Sequence, residues 1–359
     1  MPHPQHVILR ESGGPSNRRP SDVALLCLIG PLVITGSPAF AGDDGGWVGA
    51  IPLRDAELES TMEKIVGIIG VGIMGGAMAR NLLKDGFRVI GYDPSDAAMQ
   101  ALAAAGGECL NSPREVAERA MIMITSLPSV AALHAAVSGN DGLMTGRGEG
   151  QIVIECSTLP LDAKQAAHDA LRSRGKVMLD CPVSGTGAQA AKKDLVVFAS
   201  GDKAAYEHCE KVFAGMSRAQ KYLGAFGNGS RMKYIANHLV TVHNVAAAEA
   251  IVLGIKAGLD AQMIYDVISD SAGSSRMFQV RGPMMVAGRY DDVTATSKTH
   301  LKDIDIIATF AESLAFPMPL FNLAAQYYHA AVGQGRGDQD TGAVCAVVES
   351  LGGKVRGEK

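Results

Sequence analysis

The sequence predicts an α/β chain: a doubly wound, parallel sheet in the N-terminal part, followed by an all-α C-terminal domain. Three observations carry that prediction. Short apolar runs alternate with helix-forming stretches from residue 64 onward. The first run ends in a glycine turn that opens a helix. Beyond Gly229 the strand signals stop and only helical stretches remain.

At 359 residues the chain has length for two domains. Residues 1–61 stand apart from both. Ala24 to Thr35 is apolar, preceded by Arg18-Arg19 and followed by Ala39-Phe40-Ala41, the layout of a secretory signal with a small-residue cleavage site. Met62 stands directly before Glu63-Lys64 and the first strand. Two readings follow: an exported chain, or a start at Met62 with upstream sequence translated before it. The strand, glycine turn and helix that follow Met62 have the layout of a dinucleotide site, and a nicotinamide cofactor is a cytosolic reagent, so the second reading and a cytoplasmic location are expected. The expected parts are then 1–61 as an extension, 62–227 as a dinucleotide-binding domain, and 228–359 as a helical substrate and dimerisation domain.

The strand-like runs are Lys64–Ile69, Phe87–Tyr92, Met121–Leu127, Gln151–Cys156, Lys176–Cys181 and Leu195–Ala199. They are near-continuously apolar, as strands covered on both faces are. Helices lie between most of them; Ser112–Arg119 carries Pro113 at its first helical position. Ligands on such sheets bind beyond the carboxyl ends of the strands. That places Leu127-Pro128, Ser157-Thr158 and Pro182 to Gly185 at a common edge.

Gly70, Gly72 and Gly75 spell G-x-G-x-x-G between strand and helix. Gly70 permits the tight turn, Gly72 lets a pyrophosphate approach, and Gly75 lets helix pack on strand. The helix start offers unpaired N–H groups and a positive dipole end. About 20 residues on, Asp93 ends the second strand, where a carboxylate binds ribose hydroxyls and repels a 2′-phosphate. NAD is therefore expected, with NADP disfavoured.

In the helical part, Ser230–Ala257 reads as one long apolar helix, a buried element or a subunit contact. Further helical stretches are Ala261–Ser269, Met277–Ala287, Lys298–Ala315, Leu320–Val332 and Gly342–Leu351. Lys233 and Asn237 share a face of the long helix, one turn apart. A lysine whose pKa is lowered by burial serves as a general acid or base; alone, the pair also reads as a solvated lysine with an incidental asparagine. The turn Asp180–Gly187 sets Ser184 and backbone N–H groups where a small carboxylate can sit. Lys302-Asp303, alone, reads as a solvated neighbouring pair.

A net charge of −4 without a basic stripe argues against nucleic acid. Six cysteines without C-x-x-C or zinc spacing read as reduced, mostly buried thiols, and the histidines show no H-E-x-x-H, so no metal is expected.

Taken together, six segments resemble the β-hydroxyacid dehydrogenase family: GIIGVGIMGGAMARNL at 67–82, SLP at 126–128, ECSTLP at 155–160, DCPVSGTGA at 180–188, GNGSRMKYIAN at 227–237 and HLKDI at 300–304. The resemblance spans nearly the whole chain beyond the extension. It implies a Rossmann-type first domain and a set of roles. Lys233 matches the catalytic lysine, and Asn237 a substrate-holding asparagine. Ser184 and Gly185 match the loop that grips the substrate, and Thr186 follows them as a further substrate-side residue. Gly70, Gly72, Ile73, Met74 and Gly75 match the cofactor turn, Leu127, Pro128 and Thr158 further cofactor contacts, and Lys302 a lysine on the nicotinamide side. The implied reaction is NAD-dependent oxidation of a small 3-hydroxy acid, or reduction of the matching semialdehyde, by a homodimer or homotetramer. An imine or other carbonyl reductase, or a non-catalytic paralogue, are the alternatives; both tend to lose the lysine that this chain keeps.

The chain departs from the family at several points. Thr186 and Lys193 stand where the family usually has Gly, and Ala236 replaces an asparagine. Arg276 stands where relatives often carry Trp or a polar residue, and an arginine there can bind a second acidic or hydroxylated group or be a surface residue at a helix start.

Overall fold

A computed structural model describes residues 64–353. The signal-like segment, the choice of start and the rest of residues 1–61 lie outside the described residues.

The first part alternates in chain order: β1 (Ile65–Ile69), α1 (Ile73–Lys84), β2 (Arg88–Tyr92), α2 (Asp96–Ala104), β3 (Glu108–Cys109), α3 (Pro113–Arg119), β4 (Ile122–Thr125), α4 (Val130–Ser138), β5 (Ile152–Glu155), α5 (Leu161–Arg172) and β6 (Val177–Asp180). These six strands form one parallel sheet in the order β3-β2-β1-β4-β5-β6. The order reverses between β1 and β4, which is where such sheets bind dinucleotides. Helix starts follow their capping residues: Ser112 accepts from the Glu115 N–H at 3.2 Å, with Pro113 next to it.

β1 shows why the strands are apolar throughout. Val66 and Ile68 enter a core with Met78, Leu82 and Phe213, while Ile65 and Ile69 enter another with Val116, Leu133 and Leu171. Successive side chains point to opposite faces, and helices cover both.

The run Leu195–Ala199 does not join this sheet, which corrects the expectation. β7 (Val183–Ser184), then α6 (Gly187–Ala191), β8 (Val196–Ala199), α7 (Lys203–His208), α8 (Glu210–Met216) and β9 (Ala219–Tyr222) follow β6. They form a separate three-stranded sheet, with β7 antiparallel and β9 parallel to β8. β3 and β7 have two residues each, too few to leave a period in the sequence.

The remainder is helical: α9 (Asn228–Lys256), α10 (Ala261–Ser269), α11 (Arg276–Ala287), α12 (Ser297–Ser313), α13 (Pro319–Gly333) and α14 (Val344–Leu351). α9 is the axis, packed by α11, α12, α13 and α14. By length and composition it could cross a membrane. Here it contributes Tyr234, Ala248 and Ile251 to a core with Phe278, Phe321 and Tyr328. It is buried along a stripe and not all round: Ile235, Leu239 and Leu253 are 57%, 47% and 72% exposed.

Candidate active site

The glycine turn is shaped by three different demands. Gly70 has φ +87°, and a Cβ there would stand 2.2 Å from the Ser126 carbonyl oxygen of the next strand's loop. A Cβ at Gly75 would stand 1.9 Å from the Gly70 carbonyl oxygen. A Cβ at Gly72 would meet nothing within 4 Å. The first two glycines serve the fold; the third leaves open space above a helix start that has no side-chain cap and no acidic residue in its first turn. Backbone donors without an internal acceptor, beside room for a ligand, fit a pyrophosphate.

Asp93 is oriented by the same turn. Its Oδ2 accepts from the Val71 N–H and its Oδ1 from the Ser95 N–H, both at 2.9 Å. A carboxylate oxygen has a second lone pair for a ribose hydroxyl. Ile73, 80% exposed, reaches the substrate-side loop: a Cβ on Gly187 would stand 2.7 Å from its Cγ2. Asn81 of α1 donates to the Ala190 carbonyl of α6 at 2.7 Å. The cofactor helix and the Ser184–Gly187 segment are thus one packed unit.

The loops after β4 and β5 are stitched at the same edge. The Leu127 N–H donates to Ser157 Oγ at 2.8 Å, and the Ser157 N–H to Glu155 Oε1 at 3.0 Å. Pro128 is exposed beside them. Two residues of the helical part close on this loop: Lys302 Nζ donates to the Thr158 carbonyl and Tyr234 OH to the Leu159 carbonyl, each at 2.6 Å.

Lys233 lies one turn into α9 and is 9% exposed. It makes no hydrogen bond or ion pair among the described residues. Burial lowers its pKa; Asp303 pulls it back up, and Lys302 and Lys164 push it further down. Asn237, on the same face, donates to Asp303 Oδ2 at 2.9 Å, and Lys302 Nζ stands 3.2 Å from Asp303 Oδ1. Lys302-Asp303 is therefore no solvated pair, contrary to its bare sequence reading: it joins Asn237 to the Thr158 loop. β7, which carries Ser184, packs against α9.

A charged cluster that the sequence alone does not reveal lies at the start of the helix that carries Lys233. Glu155 and Asp180 end neighbouring strands in register, both fully buried. Lys164 of α5 lies between them, Nζ at 2.6 Å from Glu155 Oε2 and 2.8 Å from Asp180 Oδ1. Burial opposes its charge, but Asp180 and Glu155 outweigh burial and raise its pKa. Removing one member of such a buried set costs roughly 3–5 kcal/mol. A charged residue closing each of two apolar strands was the available signal; nothing in the spacing pointed to Lys164.

Three other residues sit in local roles. Thr186 caps α6 in a reciprocal pair with Gln189, its Oγ1 accepting from the Gln189 N–H at 3.4 Å. Arg276 is the exposed first residue of α11, and its charge helps to lower the pKa of Asp194 behind hydrogen bonds from Gln189 and Arg218. Lys193 adopts φ +60°, a conformation that suits glycine, and bonds Asp85 at 2.5 Å. Cys156, Cys181, Cys209 and Cys345 are buried and Cys109 is exposed.

Residues 65–224 match the NAD binding domain of 6-phosphogluconate dehydrogenase, and residues 227–348 the domain described as NAD-binding of NADP-dependent 3-hydroxyisobutyrate dehydrogenase. The chain is 36% identical to an L-threonate dehydrogenase of Cupriavidus necator, over 81% of this chain and 98% of that protein. It is 32% identical to an NAD-dependent L-serine dehydrogenase of Pseudomonas aeruginosa, over 77% and 95%. A crystal structure of 3-hydroxyisobutyrate dehydrogenase from Salmonella typhimurium superposes with a TM-score of 0.71 at 32% identity, covering 79% of this chain and 99% of that one. An imine reductase from Bacillus cereus, 16% identical with a TM-score of 0.52, shares the fold alone.

Proposed function

The chain belongs to the β-hydroxyacid dehydrogenase family, and from that premise we propose that it oxidises a small 3-hydroxy acid with NAD, or reduces the matching semialdehyde, with Lys233 as general acid–base. At the coarser level it is an NAD(P)-dependent oxidoreductase acting on CH–OH groups. One observation supports the finer reading above others. Lys233 is a buried amine with a lowered pKa and no partner of its own among the described residues, on a helix packed against the strand of Ser184. An unpartnered buried amine is costly to a fold and useful to a reaction.

The Ser184–Gly185–Thr186 segment would hold the substrate carboxylate. Asn237 keeps its carbonyl oxygen and a second N–H for the substrate after donating to Asp303. Neutral Lys233 would take the proton from the β-hydroxyl; in reduction its ammonium would return it. The nicotinamide, when bound, accepts or donates the hydride at the same carbon. Arg276 would meet a second polar group at the substrate's far end. Gly70, Gly72, Ile73, Met74, Gly75, Leu127, Pro128, Thr158 and Lys302 would line the cofactor.

NAD over NADP rests on the Asp93 carboxylate. A homodimer or homotetramer is proposed from the exposed apolar positions of α9, and a cytoplasmic location from the cofactor; neither nucleic acid nor membrane is a proposed partner. Light scattering showing monomer alone at micromolar concentration would contradict the assembly. The test of the function is NADH absorbance with 3-hydroxyisobutyrate, glycerate, threonate, serine and 4-hydroxybutyrate. Turnover of at least one 3-hydroxy acid is expected, and turnover of none would overturn the reading.

A further inference from the structure

We propose that the buried Glu155–Lys164–Asp180 cluster, together with Ser230, is a positioning device that sets the Lys233 amine against the carboxyl edge of the parallel sheet. The inference rests on the proposed role of Lys233.

α9 lacks a cap of its own. Its N-cap is Gly227, with φ +90° and no side-chain hydrogen bond. The capping acceptor comes from another element. Asp180 Oδ2 accepts from the Ser230 N–H and its Oδ1 from the Ser230 hydroxyl, both at 2.7 Å. Ser200 Oγ extends the arrangement, accepting from the Gly229 N–H at 2.9 Å while donating toward Asp180. The cluster's charges explain why this works. Two carboxylates and one ammonium leave a surplus negative charge in the interior, and the positive end of a long helix lies directly against it.

The contact also fixes distance. A Cβ at Gly229 would stand 2.3 Å from the Phe198 carbonyl oxygen and 2.5 Å from that of Asp180, so the helix start lies on the backbone of β6 and β8. Ser230 and Lys233 are three residues apart and share a face. Any tilt or slip at Ser230 is passed one turn on to the amine. Through the Ser157 N–H, Glu155 orders the loop that holds Leu127 and neighbours Thr158. A single buried cluster therefore ties the start of the Lys233 helix to the two loops on the cofactor side. Glu155, Lys164, Asp180 and Ser230 are positioning residues; none is placed against the substrate.

Four variants test this: Ser230→Ala, Ser230→Thr, Asp180→Asn (which leaves Lys164 paired with Glu155) and Lys176→Met. Lys176 is also buried, donating to the Leu143 carbonyl and Gln151 Oε1 at 2.7 Å each, and stands apart from the site. Ser230→Ala should lower kcat by about 10- to 100-fold, the scale of sub-ångström to ångström misplacement. KM for the hydroxy acid and the Kd for NADH should stay within about twofold. Ser230→Thr should recover most of the loss, Asp180→Asn should lose at least as much as Ser230→Ala, and Lys176→Met should lower Tm without the kcat effect.

A second readout does not need turnover. The pH dependence of reductive methylation at Lys233, followed by peptide mass spectrometry, should shift upward in Ser230→Ala as the amine gains water. Unchanged kcat and unchanged methylation in both Ser230→Ala and Asp180→Asn overturn the proposal. So does a Ser230→Ala loss of NADH binding and Tm in parallel with kcat, which marks a merely structural residue. Failure of the acid–base reading is separate: Lys233→Ala would then turn over normally.

Discussion

The two sides of the candidate site are built from different material. The proposed cofactor end is backbone: a glycine turn, an uncapped helix start, and a carboxylate held by main-chain N–H groups. The proposed proton-transfer end is side chain: Lys233, Asn237, Asp303 and Lys302, beside a helix start held by a buried cluster of charges. At a backbone site a Cβ leaves the fold intact wherever it finds space and disrupts it wherever it does not. A side-chain site depends on partners distant in sequence, and on the dielectric that burial creates.

The sharpest way to break the comparison is at the amine. Lys233→Ala should lower kcat by roughly 10²–10⁴ while NADH binding, followed by fluorescence titration, stays close to the parent. A variant with parental kcat would move the chemistry elsewhere. The backbone end is probed by two matched substitutions. Gly75→Ala forces a Cβ to 1.9 Å from the Gly70 carbonyl oxygen, and this overpacking should lower stability by about 1–3 kcal/mol, read as a lower Tm. Gly72→Ala meets no protein atom within 4 Å, so Tm should hold while NADH affinity falls about tenfold, since the methyl occupies the space left for pyrophosphate. Equal effects in the two would erase the distinction between fold glycine and ligand glycine.

Asp93→Asn is a smaller change at the same end. It removes the charge that repels a 2′-phosphate, and the ratio of kcat/KM for NAD over NADP should fall by about tenfold. A parental enzyme that already prefers NADP would refute the assignment.

A pH effect belongs to the helical part. His300 is buried, and burial lowers its pKa to about 4. Thr241 Oγ1 donates to the Asn237 carbonyl, so at 2.9 Å from His300 Nε2 it accepts, which makes the ring a neutral donor. Between the unfolded value near 6.5 and the folded value, the unfolded chain binds a proton that the folded one does not. Stability is then full above pH 6.5 and lost as pH falls toward 4, by about 3 kcal/mol at most. Urea unfolding at stepped pH should show the loss, and His300→Gln should flatten it.

Much of this was legible beforehand. The six-segment resemblance named Lys233, Asn237, Lys302 and the glycine turn, and the edge loops lie where strand ends place them. Leu195–Ala199 reads as one more strand of the parallel sheet but joins the smaller one, because an apolar run does not state its neighbours. Lys302-Asp303 alone read as solvated, because exposure is a property of what packs above a residue.

By itself the sequence determined what local sterics and periodicity dictate: strands buried on both faces, the Gly70–Gly75 turn, and a long helix carrying Lys233 and Asn237 on one face. Only the tertiary structure decided that Asp180 would cap that helix, that Lys164 would lie between two buried carboxylates, and that burial would lower the pKa of Lys233. Those are effects of distance and dielectric between residues far apart in the chain, and residue order alone specifies neither.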